Sequence, residues 1–90
     1  MNAHERFVST MDDALDVLQA AIASWGFGKP RLTWVHITNC PLWNDGGVVG
    51  HFSGRLPAAV MPMQDGTRIA VVVARDRTPY ALTADCWRQE

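Results

Sequence analysis

A chain of 90 residues, 48% of them hydrophobic, makes one folded domain with a small core and is too apolar for a disordered segment. A formal net charge of −1 removes the general electrostatic case for nucleic-acid binding, which rests on a basic surplus. No run of 18 apolar residues is present, so no membrane span is expected.

Glu5, Asp12 and Asp13 stand where a secretory signal would carry basic and then apolar residues, so a cytoplasmic location is the expectation. Cys40 and Cys86 are then expected as reduced thiols, and would pair only in an oxidising compartment. Four tryptophans (Trp25, Trp34, Trp43 and Trp87) supply apolar area to a small core, and each indole N–H needs an acceptor.

In chain order, the first element is a helix over residues 11–25. Thr10 can cap it, and Asp12 and Asp13 fall in the first turn, where the helix dipole favours negative charge. Phe7, Met11, Ala14, Leu15, Leu18, Ile22 and Trp25 recur at three- and four-residue spacing and define one apolar stripe. Gly26 suits the left-handed position that closes a helix, and Pro30 prevents its resumption. Residues 31–38 read as a strand that is partly apolar on both faces. Residues 39–47, NCPLWNDGG, are dense in turn formers and read as a loop.

Residues 48–56 form a second strand bent at Gly50 and Gly54, which Pro57 ends. Residues 58–63 form a third. A two-residue Asp65-Gly66 turn would put Pro62 at a hydrogen-bonded position that proline cannot fill, which predicts a longer loop or a bulge, with 58–63 as an edge strand. Residues 68–75, RIAVVVAR, are the clearest strand: six apolar residues, rich in valine, between two arginines. They are expected at the centre of a meander, between 58–63 and a short strand at 79–82. Residues 83–90 end the chain as a short helix capped by Thr83 or as a frayed end.

The expected fold is therefore α+β: an N-terminal amphipathic helix packed on a four- or five-stranded antiparallel sheet, open or curled into a small barrel. The short connections leave no room for the crossover helices of parallel pairing.

Few residues suggest chemistry. His36, Cys40, His51 and Cys86 are zinc-ligand types, but their spacing matches no zinc motif. Neither cysteine has an activating context, Ser53 lacks a nucleophile elbow, and the glycines form no phosphate-binding fingerprint. Asp45, Asp65, Asp76 and Asp85 fall in turns, where aspartate serves the backbone.

The composition points instead to a small non-enzymatic, protein-binding accessory or regulatory module without metal or cofactor. Its contact residues are expected to be Leu42, Trp43, Asn44 and Asp45 in the loop, Met61 and Met63 on the edge strand, and Arg75 and Arg77 in the following turn. Pairing through that apolar edge would make a homodimer. The alternatives are a single-strand nucleic-acid binder, with Trp34, Phe52, Trp43 and Tyr80 stacking beside Arg55, Arg68, Arg75 and Arg77, and a small metal-binding protein.

Overall fold

The computed structural model describes residues 6–25, 30–63, 65–82 and 85–90, with side chains described outside 21–25. The described residues form one helix, α1 (Met11–Trp25), and five strands: β1 (Arg31–Asn44), β2 (Gly47–Pro62), β3 (Arg68–Val73), β4 (Pro79–Leu82) and β5 (Trp87–Gln89). Every strand pairing is antiparallel. Among the described residues no helix is long and apolar enough to cross a membrane.

The helix has the predicted bounds. The Asp13 amide donates to the Thr10 hydroxyl at 3.3 Å, and the Ala14 amide to the Thr10 carbonyl at 2.9 Å, so Thr10 caps it. Ala14 and Leu18 are buried against Ala59 and Val73, with Val8, Val17 and Leu32 around them. Alternation puts Ala59 and Val73 on the outer face of β2 and β3, so α1 covers that face. Leu15 stays exposed, and Phe7 leaves the helical stripe altogether. The Ile22 and Trp25 side chains, and the Gly26 stop, lie outside the described residues.

Phe7 caps the opposite side of the sheet. Its backbone bridges to Ala74, and the Val8 amide donates to the Val73 carbonyl at 3.0 Å. Its ring meets Phe52 edge-on at 5.0 Å and Tyr80 at 5.8 Å. It thereby joins the inner core of Val35, Ile37, Leu42, Leu56, Val60 and Val72. Of the two faces that looked apolar in residues 31–38, Val35 and Ile37 are buried inside the folded sheet, while on the other face only Leu32 packs near the helix and His36 is exposed.

β1 and β2 form one long hairpin, from Arg31↔Val60 to Asn44↔Gly47, which corrects the expected loop at 39–47. The turn formers there do not end the strand. Asn39 takes φ +48 at an irregularity between Ile37 and Cys40, and its amide donates to the Ser53 hydroxyl at 2.9 Å. A bulge thus absorbs the residues that read as a loop. Only Asp45 and Gly46 separate the strands, and the Gly46 amide donates to Asn44 Oδ1 at 2.9 Å.

Pro57 does not divide β2. It faces Trp34 of β1, and β3 pairs with β2 only from Ala59 onward, so one side of Pro57 has no ladder to interrupt.

β3 sits between β2 and β4, as the meander required. β1 pairs with β2 as far as Val60 and β3 pairs with it from Ala59 to Pro62, so Ala59 and Val60 lie between two strands and the expected edge is confined to Met61 and Pro62, which pair with β3 alone. The Trp43↔Ala81 pair returns β4 to β1 and closes a circuit through four strands. Pro62 faces Arg68, and the Met63 amide donates to the Thr67 carbonyl at 2.8 Å. The link is therefore longer than two residues, with Gly66 in the left-handed region at φ +89. That is the departure from a tight turn that Pro62 predicted. Gln64 lies outside the described residues.

The C-terminal segment is neither helical nor frayed where it is described. β5 pairs with Val35–Ile37 of β1, while the Thr83 cap lies outside the described residues. A disulfide, Cys40–Cys86, ties the approach to β5 to the middle of β1, which corrects the expectation of two reduced thiols. Cys40 is fully buried.

Candidate functional site

The expected contact residues separate by burial. In a strand, neighbours point to opposite faces. Leu42 therefore enters the core, while Trp43 is 42% exposed. Met61 is 0% exposed, so its expected role as a contact residue is corrected: it pairs with Ile69 of β3 and shares with Ala59 the face that α1 covers. Met63 is half-buried and lines a hollow beside β5. Asn44 is spent on the turn, and Asp45 is exposed at its tip.

Two residues that the sequence reading passed over complete the tip. Val48 is 45% and Val49 50% exposed. Val48 pairs with Trp43 across the hairpin. Val49 lines a shallow hollow of about 400 Å³ with Asn44, Asp45, Gly46, Thr78 and Pro79. The end of the β1–β2 hairpin thus abuts the β3–β4 turn. The signal for these valines is their place directly after Asp45-Gly46-Gly47: a strand starting there begins at a turn, beyond the reach of the core.

Arg75 and Arg77 lie in that β3–β4 turn, both exposed. The Arg75 Nε donates to the Phe7 carbonyl at 3.4 Å. Arg77 holds φ +74, a conformation that costs a side-chain-bearing residue about 1–2 kcal/mol. Its amide donates to the Ala74 carbonyl at 2.9 Å. Asp76 Oδ1 accepts the Thr78 amide at 3.0 Å, and its carboxyl sits below the usual aspartate range because Thr78 donates to it. Both arginines also line a hollow of about 460 Å³ with Ser9, Asp13 and Asp16, at the start of α1.

A second polar cluster forms on the outer face of β1 and β2 beside β5. The Arg55 guanidinium donates to Glu90 through Nε at 3.0 Å and Nη2 at 2.7 Å, and lies 4.0 Å over the Trp34 ring. His36 Nε2 is 3.2 Å from Glu90 Oε1. The Arg55 bonds, then their charge and His36, hold the Glu90 carboxyl below its usual range. The Trp34 face and the Arg55 charge are therefore engaged within the chain, which takes two of the residues a single-strand nucleic-acid interface would use. His51 is exposed on the same hairpin, and the disulfide removes both thiolates from the metal-ligand set. Among the described residues no group of three His, Cys, Asp or Glu side chains is placed to hold a metal ion.

A further feature is a hollow of about 530 Å³ between the β2–β3 loop and β5, lined by Met63, Thr67, Arg68, Ile69, Asp85 and Trp87 among others. Trp87 is 8% exposed, and its indole N–H is buried without a hydrogen-bond partner among the described residues. An orphaned buried donor costs about 1–3 kcal/mol.

No protein-family model matches the chain, and no curated protein and no solved structure matches it.

Proposed function

We propose that the protein is a non-enzymatic protein-binding module, accessory or regulatory to a larger partner, and that it makes contact through the end of the β1–β2 hairpin. The observation that carries this reading is the exposure of Trp43, Val48 and Val49 together, three of the four large exposed apolar residues among those described. Scattered apolar residues are ordinary on a surface, but a tryptophan paired with an exposed valine on one face of the hairpin end, with a second exposed valine on the other face, has the composition of an interface anchor. Asp45 borders it with charge, and Thr78, next to Arg77 in the chain, lines the same hollow as Val49. Holding an arginine at φ +74 beside the cluster supports the same reading, since backbone strain is retained where a side chain is needed.

Dimerisation through residues 58–63 does not form part of the proposal, because α1 already covers that apolar surface. The compartment is better read as oxidising than as cytoplasmic, since a disulfide linking buried Cys40 to Cys86 persists where thiols are not kept reduced.

The test is affinity capture from the native host with the wild-type chain and with Trp43→Ser/Val49→Ser. One protein recovered by the wild type and lost from the variant, at matched thermal stability, is the expected result. Equal capture by both, or capture of nothing by the wild type, overturns the reading.

A further inference from the structure

The hollow between the β2–β3 loop and β5 brings together features that the hairpin-tip reading does not use. Trp87 lines it and carries the orphaned indole N–H. The Arg68 guanidinium lies 5.7 Å from the centre of the Trp87 ring. Its Nη1 donates to Gln89 Oε1 at 2.9 Å, which leaves further N–H groups for a second acceptor. Met63, Ile69 and the indole ring give the hollow an apolar wall. Asp85 is the other charged residue that lines it.

An indole N–H only donates, so whatever satisfies it must accept. A guanidinium beside the same ring favours an acceptor with negative charge, because charge-assisted hydrogen bonds are the stronger kind. A volume of about 530 Å³ falls in the range of small-molecule sites. We propose that this hollow binds a small apolar carboxylate, as a free acid or as the C-terminus of a peptide. The carboxylate accepts from the Trp87 indole and the Arg68 guanidinium, and the hydrocarbon part lies against Met63 and Ile69. The indole nitrogen is covered, so binding entails movement of the side chains around it. Asp85 opposes the ligand's charge and favours a single carboxylate over a dicarboxylate. A cationic ligand drawn to Asp85 would leave the indole N–H unpaired and face Arg68.

The test follows the indole resonances of the ¹⁵N-labelled full chain during titration with isovalerate, N-acetyl-leucine and N-acetyl-leucinamide. Trp87→Phe identifies the Trp87 resonance by its loss. A saturable shift of that resonance with either acid, about tenfold weaker with the neutral amide, is expected. Tighter binding of isovalerate identifies a free acid as the ligand, and tighter binding of N-acetyl-leucine a chain terminus. Arg68→Gln should weaken acid binding about tenfold, and Asp85→Asn should tighten it by about two- to fivefold. Both residues are exposed, so these variants carry the test if Trp87→Phe does not fold. A Trp87 resonance unmoved by about 50 mM of either acid, an equal response to the amide, or weaker binding by Asp85→Asn overturns the proposal.

Discussion

The two halves of β1 are held differently. The first half, Val35–Ile37, is flanked by β2 on one side and β5 on the other. Around it stand the Cys40–Cys86 disulfide, the Arg55–Glu90 pair and the Arg55–Trp34 stack. The second half reaches the tip with one bridge to β4, at Trp43↔Ala81, and carries Trp43 opposite Val48 in the open. The adjoining loops divide the same way. The β2–β3 loop puts Gly66 at its left-handed position, and the β3–β4 loop puts Arg77 there. Each loop is otherwise built alike, with Asp65 accepting from the Thr67 amide and Asp76 from the Thr78 amide, both at 3.0 Å. The fastened half is optimised for holding the chain together. The tip end tolerates exposed apolar surface and a strained arginine, which are costs that stability alone would remove.

If the fastened half sets stability, its covalent tie should have the largest effect. The disulfide closes a loop with a sequence separation of 46. Cys40→Ala/Cys86→Ala, or reduction of the native pair, should lower unfolding free energy by about 4 kcal/mol in the chain-entropy account. Denaturant titration with and without reductant measures this, and hydrogen exchange should show Trp87–Gln89 losing protection first. A loss below about 1 kcal/mol would mean that β5 docks without the tie.

The two loops permit a reciprocal exchange with smaller effects. Gly66→Arg imposes on the first loop the conformation that Arg77 endures in the second, and should cost about 1–2 kcal/mol. Arg77→Gly relieves it. Part of the gain is returned to the greater freedom of an unfolded glycine, so a net stabilisation of about 0.5–1 kcal/mol is expected by thermal or denaturant unfolding. Partner capture by Arg77→Gly should fall if the arginine is retained for contact. A variant that is both more stable and equally competent would reduce Arg77 to an accident of the loop.

These contrasts also mark what could be read in advance. α1 was legible because caps and three-to-four spacing are local, and β3 because its valines are contiguous. The loop expected at residues 39–47 failed because Asn39, Pro41 and Asn44 are turn formers that a bulged strand also accommodates. The consequence for the site was direct: in a loop Leu42 and Trp43 can both face outward, whereas in a strand one of them must turn in. Met61 failed for a non-local reason, since its burial depends on β2 continuing through Pro57 beside β1, on the pairing with β3 and on the seating of α1. The three-residue β5 has no sequence signal of its own. It depends on the disulfide and on Arg55, which lie 46 and 35 residues back along the chain.

Acidification should separate the halves more gently. The Glu90 carboxyl is held below its usual value of 4.5, first by its bonds to Arg55. A depressed folded value contributes stability above the ordinary range and loses it as pH falls through the folded value. β5 should therefore loosen only below about pH 4.5, seen as faster exchange of the Arg88 and Gln89 amides. Asp65 and Asp76 are lowered by their threonine bonds and should release both loops together in the same direction. Glu90→Gln should remove the pH dependence from β5 and leave that of the loops. A β5 transition that survives this substitution would place its origin elsewhere than in the Arg55–Glu90 pair.

The smallest effect on stability is expected at the tip, where the effect on function should be greatest. Trp43, Val48 and Val49 are each more than two-fifths exposed, so trimming them removes little buried area. Trp43→Ser/Val49→Ser should stay within about 0.5–1 kcal/mol of the wild type in denaturant titration. The Trp43 backbone pairs with Val48 and Ala81 would be kept, since those bonds do not depend on the side chain. A loss of several kcal/mol would show that the indole is packed in solution and that the tip belongs to the core. Unchanged stability together with lost capture would establish the opposite: an apolar cluster held open on the unfastened half of the hairpin because something else covers it.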